Sequence, residues 1–553
     1  MEVELRGPSE VMSIAALGAV KPHRLSFSRR LIRRMTEQGW EISLSLCDVD
    51  EHGVGRMVYD IDANGHLLHF VIRSDDVPEE LRTGRLSEAR FDGMGILCHG
   101  PLDWGRLDRE MQQIQLRSAG RGTHQSLGWT LCSRSSRSFD LVVDALCEGR
   151  QPAVEPLVGG ASYLLRNNGY YGNGRHGTRP WTSLPPEHPL AEPYFPEMLA
   201  LYLWRQYGHD LVDAMARKRN VGAVALDASI KRYLGVGNAT GQGMSTFLPK
   251  WPYWVDAWNS IRETAFARVA ATKPSEEDVD RCRLLLQRAR NSYAIDQLEL
   301  DSVFVEPHLL AGELTKLLEH LDPGEGTAWA SPLAWADEHL HIEAASLFRS
   351  VLTEVHAPLV DDLGGRYLVE MARRYEAGPA ATIADLRKQL RSYGWVQPLV
   401  DEDGFHEKFF YRSEEHGEQR VGDRAVDAGT EYETFAGVVA LITSLVHAIE
   451  GRPDGELVAR FLVDHANQRF AVERVLSLID VPYAEVRADM TNSGWTAAEA
   501  GRFVLATFGM EMARVSSDRW VQGVFFQGAP LSDELATKAD ERDWIYPSTP
   551  APP

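Results

Sequence analysis

At 553 residues the chain exceeds what one hydrophobic core usually serves, so roughly two to four domains or subdomains are expected. Its 44% hydrophobic and 25% charged content is that of an ordinary soluble protein. A net charge of −21 argues against a nucleic-acid or anionic-membrane partner, because a phosphate backbone needs a basic face.

The five cysteines (Cys47, Cys98, Cys132, Cys147, Cys282) are scattered, odd in number and without a CxxC pair. That pattern excludes a zinc ribbon or thioredoxin-type motif and points to a reducing compartment. The first residues, Met-Glu-Val-Glu-Leu-Arg, are acidic where a signal peptide is basic, and Ser13 and Gly18 interrupt the apolar run 11–20. No stretch approaches the roughly 20 apolar residues of a membrane span. A cytoplasmic protein is expected.

In chain order, residues 24–38 form an amphipathic helix with Leu25, Leu31, Ile32 and Met35 on its apolar side and Gly39 as its stop. The same helix carries Arg29, Arg30, Arg33 and Arg34, with Ser26 or Ser28 placed to cap it. These arginines read as a solvated face pairing with nearby acids, RNA binding being the sharper alternative. Strand-like runs follow at 40–47, 55–61 and 66–73, the last two flanking the hairpin signal Asp62-Ala-Asn-Gly65. From about residue 107 the periodicity turns helical, at 107–117, 139–147 and 155–165.

A Gly/Asn-rich loop at 166–179 and a Pro-rich connection lead to a long helix at 194–219. A second glycine-rich loop, 235–243, precedes a helix whose Trp251, Trp254, Trp258 and Ile261 share one face and are expected in the core. Blocks 275–321 and 333–376 are helical, then a strand pair is expected at 395–400 and 405–411. Residues 417–429 read as a polar loop, the chain to about 515 as helical, and 546–553 as an extended or disordered tail.

Two regions echo each other. Gly39-Trp40, Val49-Asp-Glu-His-Gly53 and Glu148-Gly149-Arg150 are matched by Gly394-Trp395, Val400-Asp-Glu-Asp-Gly404 and Glu450-Gly451-Arg452, at unequal gaps. The expected fold class is therefore mainly α (α+β): helical bundles with small antiparallel β meanders, in two pseudo-repeated lobes if the duplication is real. The expected domains are 1–105, 106–330 and 331–545, with the tail beyond. The later lobe has no counterpart of 166–179, which puts the chemistry in the first lobe, near the lobe interface.

Chemistry concentrates in the two glycine-rich stretches. Arg166, Arg175 and Arg179 suit a bidentate grip on carboxylate or phosphate. His176, Tyr170 and Tyr171 are the candidates for proton transfer. Asn168 and Asn173 in the first stretch, and Asn238, Thr240 and Gln242 in the second, would orient a substrate. The second stretch also matches GxGxxxG through Gly235, Gly237 and Gly241, with Gly243 opening the next segment. This is a weak dinucleotide signature, because the residues before it are helix-like rather than strand-like.

Metal ligation is not expected. Glu338 and His341 have the i, i+3 spacing of a di-iron helix, but no second ExxH accompanies them. Cys98-His99 are adjacent, a poor arrangement for a nucleophile and its base, and no G-x-S-x-G, P-loop or H-E-x-x-H motif occurs.

The expected function is thus an enzyme acting by acid–base chemistry on a small anionic metabolite held between 166–179 and 235–243. A nicotinamide- or flavin-dependent oxidoreductase, with NAD(P) or flavin as cofactor, is the second reading. A non-catalytic helical scaffold is the third. No nucleic-acid or membrane partner is expected, and a homo-oligomer is compatible with the sequence.

Overall fold

The computed structural model describes residues 5–7, 11, 23–78, 91–115, 126–135, 138–158, 162–172, 184–185, 187–192, 194–238, 252–295, 307–321, 326–363, 380–391, 408–412, 419–423, 430–476, 506–517, 520–535, 544–547 and 549–550. Helix α1 (Phe27–Glu37) stops where expected. Gly39 takes φ +62° while its N–H bonds Thr36 O and that of Trp40 bonds Met35 O, a Schellman stop that glycine permits at little cost. Strands β1 (Glu41–Val49), β2 (Gly55–Ala63) and β3 (His66–Ser74) form an antiparallel meander. The β2–β3 register pairs Ala63 with His66, leaving Asn64 and Gly65 as a two-residue turn, both with positive φ. That is the type I′ geometry which Asn-Gly favours.

The meander does not stop there. β4 (Gly93–His99), β5 (Ser126–Arg134) and β6 (Tyr163–Gly172) continue it antiparallel. Between them lie α2 (Trp104–Gln115), then α3 (Phe139–Cys147) and the single-turn α4 (Glu155–Val158). The chain leaves β6, forms α5 (Phe195–Arg219) and α6 (Ala228–Tyr233), and returns as β7 (Gly235–Asn238), parallel to β6. After the helical part of the chain, β11 (Met510–Ser517) and β12 (Trp520–Phe525) close the sheet in the order β1-β2-β3-β4-β5-β6-β7-β12-β11.

Nine strands in one curled sheet overturn the expectation of a mainly helical bundle with small meanders. Two of the missed strands, β4 and β5, share a reason. Strands buried on both faces lose the period-2 alternation that betrays a half-solvated strand. β4 is buried at every residue from Gly93 to Cys98, and β5 at all but Trp129. Residues 155–165, expected as a helix, hold one helical turn and then enter β6.

Helix α5 packs against one face of this sheet, and α2 covers the other with Leu107 and Met111 against Val58, Val71, Ile96 and Leu131. Nineteen of the 25 residues of α5 are buried, which is why it shows no polar stripe. Trp204 of α5 lies on a floor of glycine: a Cβ at Gly93 or Gly95 would come within 3.0 Å of its ring. Its indole N–H donates to Thr130 Oγ1, which also accepts from the amide of Asn167.

Arg205, beside it, is fully buried and donates only to backbone carbonyls: Leu234, Pro530, Lys231, Arg232 and Ala529, at 2.7–3.2 Å. Burial lowers its pKa to about 10, so it stays charged at neutral pH. Tyr202 donates to the same Pro530 carbonyl at 2.9 Å. The C-terminal segment is thereby tied to the middle of the chain.

The second half contributes α7 (Pro252–Ala270), α8 (Glu276–Ile295), α9 (Pro307–His320), α10 (Ala330–His339) and α11 (Ile342–Val355), with α11 packed against α7, α8, α9 and α10. Trp258 and Ile261 lie in the core as expected; Trp251 is outside the described residues and the side chain of Trp254 is not described. Beyond α12 (Ile383–Leu390) comes a three-stranded sheet in the order β10-β8-β9, made of β8 (Lys408–Arg412), β9 (Gln419–Asp423) and β10 (Thr430–Thr434). β9 lies inside the expected polar loop 417–429, and the proposed partner strand 395–400 is outside the described residues.

Helices α13 (Phe435–Ala448), α14 (Val458–Asp464) and α15 (Arg469–Leu476) follow, and a last turn, α16 (Ser532–Leu535), packs on β1. Three strands in that order do not repeat a nine-stranded sheet, so the two-lobe duplication is not the architecture. The stretch near 515, expected as helix, is β11, and Tyr546, expected in a free tail, is buried beside Ile545 and Trp544.

Replacing Arg205 with lysine leaves a single ammonium where three nitrogens met five carbonyls. Arg205→Lys is expected to lose about 3 kcal/mol of stability, from carbonyls left without donors. Urea denaturation measures it; a loss under about 1 kcal/mol means the cage is not what ties the C-terminal segment in place.

Candidate functional site

β6 and β7 are the one parallel pair among the described strands of the large sheet. Parallel neighbours end at the same edge, so the two glycine-rich stretches leave the sheet side by side. The register sets Arg166 opposite Gly237 and Asn167 opposite Asn238. The two connected stretches that looked like loops are, in their first halves, adjacent strands.

Helix α5 runs opposite to β6. Its Gly208 sits over Leu164 and Leu165, while Trp204, one turn earlier, reaches Thr130 and through it Asn167. The amino end of α5 therefore points toward the carboxyl ends of β6 and β7. In open α/β sheets, a crevice beyond strand carboxyl ends, next to a helix amino terminus, is where ligands bind.

That amino end has two unusual features. Tyr194, the residue before the first turn, holds φ +62°, a left-handed conformation that costs a bulky side chain about 1–3 kcal/mol. It is clamped between the rings of Phe27 and Phe508, at centroid distances of 4.9 and 4.5 Å. Glu197, in the first turn, is buried, and neither carboxyl oxygen has a hydrogen-bond partner. Burial pushes its pKa up to about 8, so it is a neutral acid at pH 7. Sequence reasoning passed over Glu197, because an acidic residue in a first helical turn is ordinary. Only its burial singles it out.

The residues expected at the site divide into three groups. Arg166 lies in β6, half-buried, with its neighbour Asn167 directed to the α5 face. Asn168, Tyr170 and Tyr171 also belong to β6, Tyr170 in register with Thr130 and Tyr171 with Trp129. Asn238 ends β7. Asn173, Arg175, His176, Arg179, Thr240, Gly241, Gln242 and Gly243 lie outside the described residues.

Gly235 and Gly237 lie within β7, not in a turn between a strand and a helix, which is where a dinucleotide fingerprint carries its glycines. Their small size has a packing reason. A Cβ at Gly235 would stand 2.3 Å from the Phe525 carbonyl oxygen, and one at Gly237 2.8 Å from the Tyr163 ring.

The rings of His66 and His99 flank that of His188, at centroid distances of 5.2 and 6.4 Å. His188 Nδ1 accepts from the Leu190 N–H, which leaves the proton on Nε2, and burial beside two other imidazoles lowers its pKa to about 4. Such a ring has no lone pair to offer at Nε2. Among the described residues no group of three potential ligands is arranged to hold a metal ion.

Glu338 and His341 do not share a helix: α10 ends at His339, and His341 caps α11 by accepting from Glu343 N–H. Cys98 is buried, with its thiol pushed up to about 11, and its neighbour His99 faces His188 instead.

The basic cluster of α1 is corrected too. Arg29, Arg30 and Arg33 are buried rather than solvated. Arg30 and Arg34 pair with Glu192, Arg29 with Glu354 and Arg33 with Asp361. Ser26 occupies the cap position, but its hydroxyl accepts from His23 N–H and donates to Ala506 O, so it does not cap. No described helix is long and apolar enough to cross a membrane.

Comparison with protein-family profiles, with curated proteins and with solved structures finds no match.

The raised pKa of Glu197 has a signed consequence. Between its unfolded value of 4.5 and its folded value of about 8, the folded state binds the extra proton, so this group's stabilisation is complete below 4.5 and fades as pH rises through 8. Glu197→Gln, which keeps the neutral shape, is expected to gain on wild type across that window, on the order of 4 kcal/mol in total. Urea midpoints at pH 5 and pH 8 measure the gain, and parallel pH profiles of the two proteins would refute the assignment.

Proposed function

We propose that the chain is an enzyme acting on a small carboxylate- or phosphate-bearing metabolite by acid–base chemistry at the carboxyl ends of β6 and β7. The observation that carries this reading is the parallel β6–β7 pair, from whose shared edge both chemistry-rich stretches continue. Arg166, Arg175 and Arg179 would hold the anion, since a planar guanidinium matches a carboxylate or phosphate in two-point contact. Asn173, Asn238 and Thr240 would orient the substrate or stabilise developing negative charge.

Proton transfer falls to His176, Tyr170 or Tyr171. Glu197 joins them as a fourth group: a carboxylic acid protonated near neutral pH is matched to work as a general acid at the helix end facing that edge. Tyr194 supports the reading indirectly, because strained backbone gathers at sites where geometry is held for a purpose.

A thermal-shift screen of carboxylate and phosphate metabolites, using the purified full-length chain, identifies the ligand class. For a hit, Arg175→Ala is expected to weaken binding at least tenfold, from loss of one charge-assisted contact worth about 1.5–3 kcal/mol. His176→Ala is expected to lower turnover by about 100-fold or more with the fold unchanged. The reading fails if both variants fold normally and keep wild-type affinity and turnover.

A further inference from the structure

Three imidazoles meet at one end of the first meander. His66 opens β3 just after the Asn64-Gly65 turn, and His99 closes β4, in register with Leu68 of β3. His188 comes from the connection that enters α5. Its ring lies 5.2 Å from that of His66 and 6.4 Å from that of His99. His66 is exposed and His99 half-buried, whereas His188 is buried. The cluster is thus the junction between the sheet and that connection.

Residues 187–192 form a short, tightly held segment. His188 N–H donates to Pro185 O and Ala191 N–H to His188 O, both at 2.9 Å, and Leu190 N–H donates to His188 Nδ1 at 3.0 Å. Leu190 lies in the core, while Glu192 pairs with Arg30 and Arg34 of α1. Tyr194, two residues further on, leads into α5 in its left-handed conformation. The seating of this segment therefore sets where α5 begins.

Three geometric features each require an uncharged His188. Its Nδ1 lone pair is in use as an acceptor, and a protonated ring would turn a second donor toward the Leu190 N–H. The ring is out of water, which disfavours its charged form. Its ring neighbours are two further imidazoles, which themselves gain charge on acidification. The charged groups acting on the ring are His66 of β3, His99 of β4 and Glu187 of its own segment, and of these Glu187 alone favours the imidazolium. Burial first, then His66 and His99, hold its pKa down to about 4.

We propose that His188 is an acid-released latch, which seats residues 187–192 on the His66–His99 end of the sheet and lets them go when its ring is protonated. The latch does not depend on what the β6–β7 edge binds. Its sign follows from the protonation states. A released segment binds the proton more tightly than a seated one, so falling pH favours release, starting below the ordinary imidazole value of 6.5. With 6.5 for the released ring and about 4 for the seated one, the ratio of released to seated forms rises about 30-fold between pH 8 and pH 5.

The Leu190 amide is the reporter, because it donates directly to the latch. Its hydrogen exchange is followed in the purified full-length protein at pH 8 and pH 5, corrected for the intrinsic pH dependence of exchange. Protection is expected to fall about 30-fold in wild type, with amides of 93–99 keeping theirs. In His188→Asn a side-chain oxygen still accepts from Leu190 N–H but cannot be protonated, and the fall is expected to stay below about threefold. A titration of the histidine ring signals of the wild-type protein gives a second reading that needs no variant, with the His188 midpoint expected near 4. Equal falls in wild type and a folded His188→Asn, no fall in wild type, an equal loss at 93–99, or a His188 midpoint of 6 or above would each overturn the latch.

Discussion

One buried helix with sheet around it is the constraint on which the first half of this protein depends. α5 can sit there only because Gly93 and Gly95 make a floor flat enough for Trp204, and because Arg205 finds carbonyl oxygens on every side. A guanidinium inside a protein needs its donors satisfied, and it is usually met by a carboxylate. Here the acceptors are backbone carbonyls from two distant parts of the chain, 231–234 and 529–530. The same side chain thus sets the connection into β7 and the return of β12 beside it.

The β6–β7 pair follows from the helix as well. A strand that leaves the sheet, covers its face with a 25-residue helix and comes back must re-enter parallel to where it left. Among the described strands that is the one place where the antiparallel meander changes sense, and it brings two glycine-rich stretches to one edge. Gly235 and Gly237 owe their size to Phe525 and Tyr163, so the glycines of this stretch have a structural reason independent of any ligand.

Charge is distributed unevenly. The chain is strongly acidic overall, yet the side chains gathered where α1 meets the helical half are arginines. Desolvating a guanidinium is costly, and the compensation comes from shared carboxylates, with Glu354 and Glu192 each serving two arginines. Aromatic faces at Trp544, Phe195 and Phe266 add cation–π contacts that suit the weakly hydrated guanidinium. The Arg29–Glu354 pair ties α1 to α11.

What the sequence determined by itself was local. The Gly39 stop, the Asn64-Gly65 turn, helix 139–147, the long helix after residue 194 and the core role of Trp258 follow from spacing and backbone preference, which neighbours along the chain suffice to define. Residues 166–172 and 235–238 could be seen to be unusual, but not that they are strands, since their partners stand far away: β12 meets β7 from nearly 290 positions further on (Phe525 with Val236).

Tertiary structure alone decided three things: that β4 to β7 join the first meander in one sheet, that Arg29, Arg30 and Arg33 face inward, and that Glu197 is a neutral acid. Each is a matter of burial and pairing. Those are properties of whatever packs against a residue, and no short window of sequence contains them.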